Sequence, residues 1–187
     1  TKLEDWYSTL RDAVNIRLGE GQDKQKFITP DDQEVNNLMR TITGGWSEEG
    51  KNWHEFWQDL QFMYSWVADN IEDSHDSPTP VLPKFGSGVV DWRMHYWRYP
   101  SETISQGIGD SEDQTTLLCS LILAYNGGKY IAWIIELKSD SADHLAVALP
   151  VEGQEMCILD PGGNYYDRKF KNYRDAIKDW LKHWPFE

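Results

Sequence analysis

GDSEDQTTLLCSLILAYNGG, residues 109–128, decides how the rest of this chain is read. Its centre, LLCSLILAY (117–125), is the longest apolar run in the sequence and offers water no polar face. A helix of that kind belongs in a protein interior. Gly127 and Gly128 end it. The S-x-x-Q of Ser111–Gln114 starts it, with the Ser111 hydroxyl capping the first turn and Gln114 reaching back.

After this helix the apolar period changes from 3.6 to 2. KYIAWIIEL (129–137), DHLAVALPV (143–151) and QEMCILDP (154–161) read as consecutive strands, with KSDSA (138–142) as the turn between the first two. Before it the chain is helical. LEDWYSTLRDAVNIRLG (3–19) sets Leu3, Trp6, Leu10, Val14 and Leu18 on one stripe and stops at Gly19, followed by a polar turn, GEGQDKQK (19–26). Thr29-Pro30-Asp31-Asp32 starts a second helix, with Thr29 as cap, running to Thr43 and ending at Gly44-Gly45. A third spans about 52–71, its stripe made by Trp53, Phe56, Trp57, Leu60, Tyr64 and Val67. Residues 72–91 form an ordered loop, and NYRDAIKDWLKHW (172–184) a closing helix with Tyr173, Ile177, Trp180, Leu181 and Trp184 on one face. Helices segregated from an antiparallel meander predict an α+β domain, a central buried helix packed on the sheet.

Composition narrows the function. Of 187 residues, 31 are acidic and 18 basic, a net charge of −13, which argues against nucleic acid and against anionic membrane surfaces. No apolar run reaches the ~18 residues of a membrane span. Ten tryptophans are enough for core and for an aromatic groove wall as well. Cys119 and Cys157 fit neither a disulfide framework nor a metal pair and read as core thiols. The chain begins at Thr1, which suggests a leader or anchor removed, and an extracytoplasmic or cell-surface setting is favoured.

Three residues stand out together: Ser111 at the helix start, His144 in the second strand and Asp160 at the end of the third. A nucleophile at a buried helix N-terminus lies at the positive end of the macrodipole, beside backbone N–H groups able to receive an oxyanion. A histidine from the adjoining sheet can take its proton, and a carboxylate on the next strand can hold the imidazole. Strand alternation puts His144, Ala146 and Ala148 on one face, and Ile158 on one face with Asp160.

The same residues carry a resemblance. Y-P-S-E-T-I-S-Q-G-I-G-D-S-E-D-Q (99–114), then DHLAVALPV, then MCILDPGGNYY (156–166), is similar to the archaeal and bacterial proteins of the transglutaminase-like cysteine-enzyme superfamily. Their pattern runs P-x-E-T, then G-D-C-E-D heading a core helix, then histidine, then aspartate. The likeness covers about 55–166 and is weak over FMYSWVADNIED (62–73). It implies a transglutaminase-like, papain-like fold over 51–187, with residues 1–50 as a helical extension packed on it. It also implies a nucleophile at Ser111, a general base at His144 and an orienting acid at Asp160. The implied reaction is amide hydrolysis of a peptide or protein through an acyl-enzyme. Serine stands where the family has cysteine. A helix N-terminus and a histidine lower a thiol's pKa into a usable range, whereas a hydroxyl on its shorter C–O bond sits out of register. The expectation is therefore a silenced cysteine hydrolase. A serine-using enzyme, a cross-linking transamidase and a non-catalytic peptide- or glycan-binding module are the alternatives.

Around these residues, Gln106 is a candidate oxyanion donor, and Trp92, Trp97 and Tyr99 are candidate groove walls or, equally, core aromatics. Asp110 and Glu112 read as acids facing the helix dipole. Asp69, Asp73 and Asp76, with Glu72 and His75, are oxygen donors suited to calcium, but the run lacks the D-x-D-x-D-G order and reads first as a solvated face. No other cofactor is expected.

Overall fold

The computed structural model describes residues 1–19, 24–46, 53–138, 143–151, 153–168 and 170–184. The central parts of the expected turns at 19–26 and 138–142 lie outside the described residues. Six α-helices are present among those described: α1 Lys2–Asn15, α2 Gln33–Thr43, α3 Trp53–Asn70, α4 Pro100–Gln106, α5 Ser111–Asn126 and α6 Tyr173–His183. The principal sheet is antiparallel. In it β5 (Trp133–Lys138) pairs with β6 (Asp143–Val151), and β6 with β7 (Glu155–Asp160). The short β8 (Tyr165–Tyr166) and β9 (Lys171–Asn172) also pair with β7. Upstream, β1 (Glu72–Asp73) runs parallel to β4 (Ile108–Gly109), and β2 (Thr79–Val81) pairs with β3 (Asp91–Arg93). This is the expected α+β architecture, with the sheet packed against α5.

Helix α5 is buried on every side, as its sequence requires. Leu117, Leu118, Leu121 and Ile122 have no exposed surface, each gaining about 1.5–3 kcal/mol from burial. Its buried hydroxyls are all partnered. Thr116 donates to Glu112 O, Ser120 to Thr116 O, and Thr115 crosses to Leu145 O on β6. The sheet is apolar on both faces. Val147, Leu149, Cys157 and Leu159 face the core shared by α2, α3 and α5. Ala146, Ala148, Met156 and Ile158 face Ala176 and Trp180 of α6.

Three local expectations are corrected. The residue capping α5 is Asp110, whose carboxylate accepts the Glu112 and Asp113 N–H groups at 3.0 and 3.3 Å; Ser111 is the first helical residue. Gln114 does not reach back but donates to Ile71 O. Helix α2 is capped by Asp32 rather than Thr29, because the chain turns helical only after the Thr29–Pro30–Asp31 turn. Along the first expected stripe, Leu3, Trp6 and Leu10 of α1 stay exposed and only Leu18, past the end of that helix, is buried. That helix holds on through polar contacts instead: Tyr7 Oη donates to Pro83 O, and Asn15 pairs with both backbone groups of Leu82.

Candidate active site

The start of α5 and the ends of β6 and β7 meet at one cleft of about 660 Å³. Ser111 and His144 line it with Gly162, Trp184, Asp143, Met94 and His95, and a wall of acids completes it. His144 Nε2 lies 2.8 Å from Asp160 Oδ2. When Nε2–H donates to that carboxylate, Nδ1 is the ring nitrogen left with a lone pair. A larger hollow, about 870 Å³, lies between α1 and the 81–91 segment, but it contains no nucleophile beside a histidine. Chemistry rather than volume therefore marks this cleft as the candidate site.

Asp160 is fully buried and its position is over-determined. Oδ2 accepts from His144, from Trp180 Nε1 at 2.9 Å and from Trp184 Nε1 at 3.0 Å, while Oδ1 accepts the Gly163 N–H at 2.8 Å. Trp184 also lies against the His144 ring, centroids 4.1 Å apart. The two glycines after Pro161 make room for this. A methyl group at Gly163 would run into the Trp184 ring and the Asp160 carboxylate, and one at Gly162 would stand 3.2 Å from Ser111 Cβ. The pair in ILDPGG, legible only as a turn, is thus a close-approach device. Trp180 of α6 and Trp184, which follows the helix as its C-cap, had signalled a helix face but not a carboxylate holder.

The first turn of α5 is strongly acidic inside. Burial pushes the Glu112 carboxyl up to about 9, with the charges of Asp110, Asp113 and Asp76 adding to it. Asp113 rises to about 7, through burial and then Asp110, against the pull of Arg98. Asp110 is also raised, by burial first and Asp76 second. Glu112, expected as an acid facing the helix dipole, is only 6% exposed. Arg98 Nη1 bridges Asp113 Oδ2 at 2.6 Å and Asp76 Oδ1 at 3.0 Å.

Of the remaining candidates, Asp73, His75 and Asp76 line the cleft and the others lie elsewhere. Gln106 Oε1 accepts from Arg98 Nε and does not line the cleft. Trp92 is exposed on β3. Trp97 is buried with Phe27 and Leu145 and reaches only an adjoining hollow. Tyr99 packs on Phe27 and lines the α1 hollow. Asp69 and Asp73 are exposed and do not assemble with Asp76 into a ligand set. Among the described residues, the acids that converge are Asp76, Asp110 and Glu112. None of the described helices is long and apolar enough to cross a membrane.

A family model described as a transglutaminase-like domain matches residues 52–183. No curated protein and no solved structure matches the chain.

Proposed function

The chain belongs to that transglutaminase-like family, and from this premise we propose that its cleft is an amide-hydrolysing site of the cysteine type, held quiet by serine at position 111. The observation that carries the reading is the His144–Asp160 pair, 2.8 Å apart, opening into the same cleft as the first residue of α5. With sulfur at 111, His144 Nδ1 takes the thiol proton and the thiolate adds to the amide carbonyl. The oxyanion then needs a donor. Asp110 occupies the Glu112 and Asp113 N–H groups, so the Ser111 N–H is the backbone donor left in that turn. Collapse breaks the C–N bond as His144 returns the proton to the leaving amine. Water then adds to the thioester and releases the acid, restoring the thiol.

Serine has the same proton to lose but a far weaker acidity and a shorter bond. The test is Ser111→Cys, alone and with His144→Ala, labelled by iodoacetamide at neutral pH. The introduced thiol should react faster than Cys119 and Cys157, and removal of His144 should slow it at least about tenfold. Equal rates with and without His144 would overturn the catalytic reading and leave the cleft as a binding surface.

A further inference from the structure

Two indoles flank the His144–Asp160 hydrogen bond, and they are not equivalent. His144 Nε2, Trp180 Nε1 and Trp184 Nε1 converge on one oxygen, Asp160 Oδ2, at 2.8, 2.9 and 3.0 Å. Trp180 is buried, its ring centroid 6.1 Å from the imidazole, and it does not line the cleft. Trp184 does line the cleft and stands nearer, at 4.1 Å, its plane tilted 43° to the imidazole. Because both N–H groups meet at the same acceptor, the nitrogen edge of this indole runs beside the hydrogen bond while its ring leans on the imidazole. The bond is backed by Trp180 in the core and covered by Trp184 towards the cleft.

Three contacts hold the cover in place. Its Nε1 is bonded to Asp160, its ring lies against His144, and Gly163, lacking a side chain, leaves the space that Cζ2 and Cε2 of the indole occupy. The preceding residue fastens the same turn, with His183 Nε2 lying 2.8 Å from Gly163 O. Trp184 thus reaches back from the end of α6 onto residues of β6 and β7.

We propose that Trp184 is a positioning residue whose ring keeps water from the His144–Asp160 hydrogen bond. The His144 side chain is only 12% exposed, although it lines the cleft. With the indole removed, water reaches Nε2, competes for its N–H and lets the imidazole turn over, exchanging its two nitrogens. With the indole in place the bond lies in a low local dielectric, where it is stronger, and Nδ1 is the nitrogen that keeps its lone pair. The role belongs to the ring, since Trp180 duplicates the N–H. Its consequence for a thiol at position 111 rests on the acyl-transfer reading; the cover itself does not.

Proton NMR of the full chain can follow the His144 Nε2–H, a signal moved downfield by its carboxylate acceptor and identified by its loss in His144→Ala. Slow exchange with water is expected in the parent. Trp180→Phe removes a donor and leaves the cover, so it should change the exchange rate less than about twofold, whereas Trp184→Leu should raise it at least about tenfold and Trp184→Phe by an intermediate factor. Circular dichroism melts check that each variant is folded. Should the leucine variant not fold, Trp184→Phe against Trp180→Phe decides, because each loses one indole N–H on the same oxygen. Trp184 variants exchanging no faster than Trp180→Phe would overturn the proposal, as would a parent signal already lost to fast exchange. In the Ser111→Cys chain, iodoacetamide labelling should slow at least about fivefold on Trp184→Leu. Unchanged labelling there, beside a loss on His144→Ala, would overturn the positioning role and leave the catalytic reading intact. Labelling indifferent to His144 would remove that reading and leave the exchange rates to decide the cover.

Discussion

At the residue scale, the site is organised around one carboxylate. Asp160 accepts from an imidazole, two indoles and a backbone N–H, so no one partner fixes it alone. Trp184→Phe keeps an aromatic ring, though a smaller one, and removes one donor. The expected loss is about 1.5–3 kcal/mol, the worth of one hydrogen bond to a charged acceptor, measured by denaturant unfolding. Gly163→Ala is a different kind of change, because its methyl group has nowhere to go: the indole and the carboxylate both stand in its space. Displacing either should cost about 1–3 kcal/mol. In the Ser111→Cys background, Gly163→Ala should also erase the dependence of thiol labelling on His144, because the imidazole loses its anchor. Full retention of that dependence would show that Asp160 does not orient His144.

At the element scale, Glu102 of the P-S-E-T stretch explains how the N-terminal helices join the domain. It closes a capping box on α4 by accepting the Tyr99 N–H at 2.9 Å, and it receives Arg17 through two bonds, 2.6 and 3.0 Å. Burial acts to raise this carboxyl, but the Arg17 bonds, the Tyr99 N–H and the charges of Arg17 and Arg98 outweigh it and hold it below 4.5. A lowered acid contributes stability above its unfolded value and loses it as pH falls through the folded one. Glu102→Gln should therefore cost about 1 kcal/mol at pH 7, modest because the pair is partly solvated. That difference should shrink as pH falls from the ordinary glutamate range through the lowered folded value, which unfolding curves in steps below pH 7 would read. The elements themselves were largely legible. The buried helix and three strands announced themselves by length and period, since burial on both faces leaves no polar interruption. Their caps were not, because Asp110 and Ser111 are adjacent residues of cap type. What decides is the extended backbone at Asp110, which leaves Ser111 as the first helical residue, while Gly109 leaves room for the Asp113 side chain. The α1 stripe misled for a related reason: a local pattern cannot say whether anything covers it. The convergence of Asp76, Asp110 and Glu112 was hidden by chain separation, which β1–β4 pairing and the Arg98 bridge from Asp76 to Asp113 overcome.

At the scale of the whole molecule, α5 and the sheet are two halves of a single core, and each half carries one thiol. Cys119 lies on α5 and Cys157 on β7, both within the cluster formed by α2, α3, α5 and the sheet. Burial pushes both thiols up to about 12, with the Asp167 charge adding at Cys157. At pH 8 neither is thiolate in the folded chain, while an unfolded thiol, near 8.5, is partly so. Labelling by Ellman's reagent must then wait for an opening that exposes the sulfur. If helix layer and sheet open only together, Cys119 and Cys157 should label at the same rate. That rate should rise with urea along the slope of global unfolding. Single variants Cys119→Ala and Cys157→Ala separate the two signals. Faster labelling of Cys157, with a shallower urea dependence, would mean that β7 detaches from α5 before the core is lost. His144 and Asp160 would then be carried on a layer able to part from Ser111, and the cleft would not be a fixed feature of the fold.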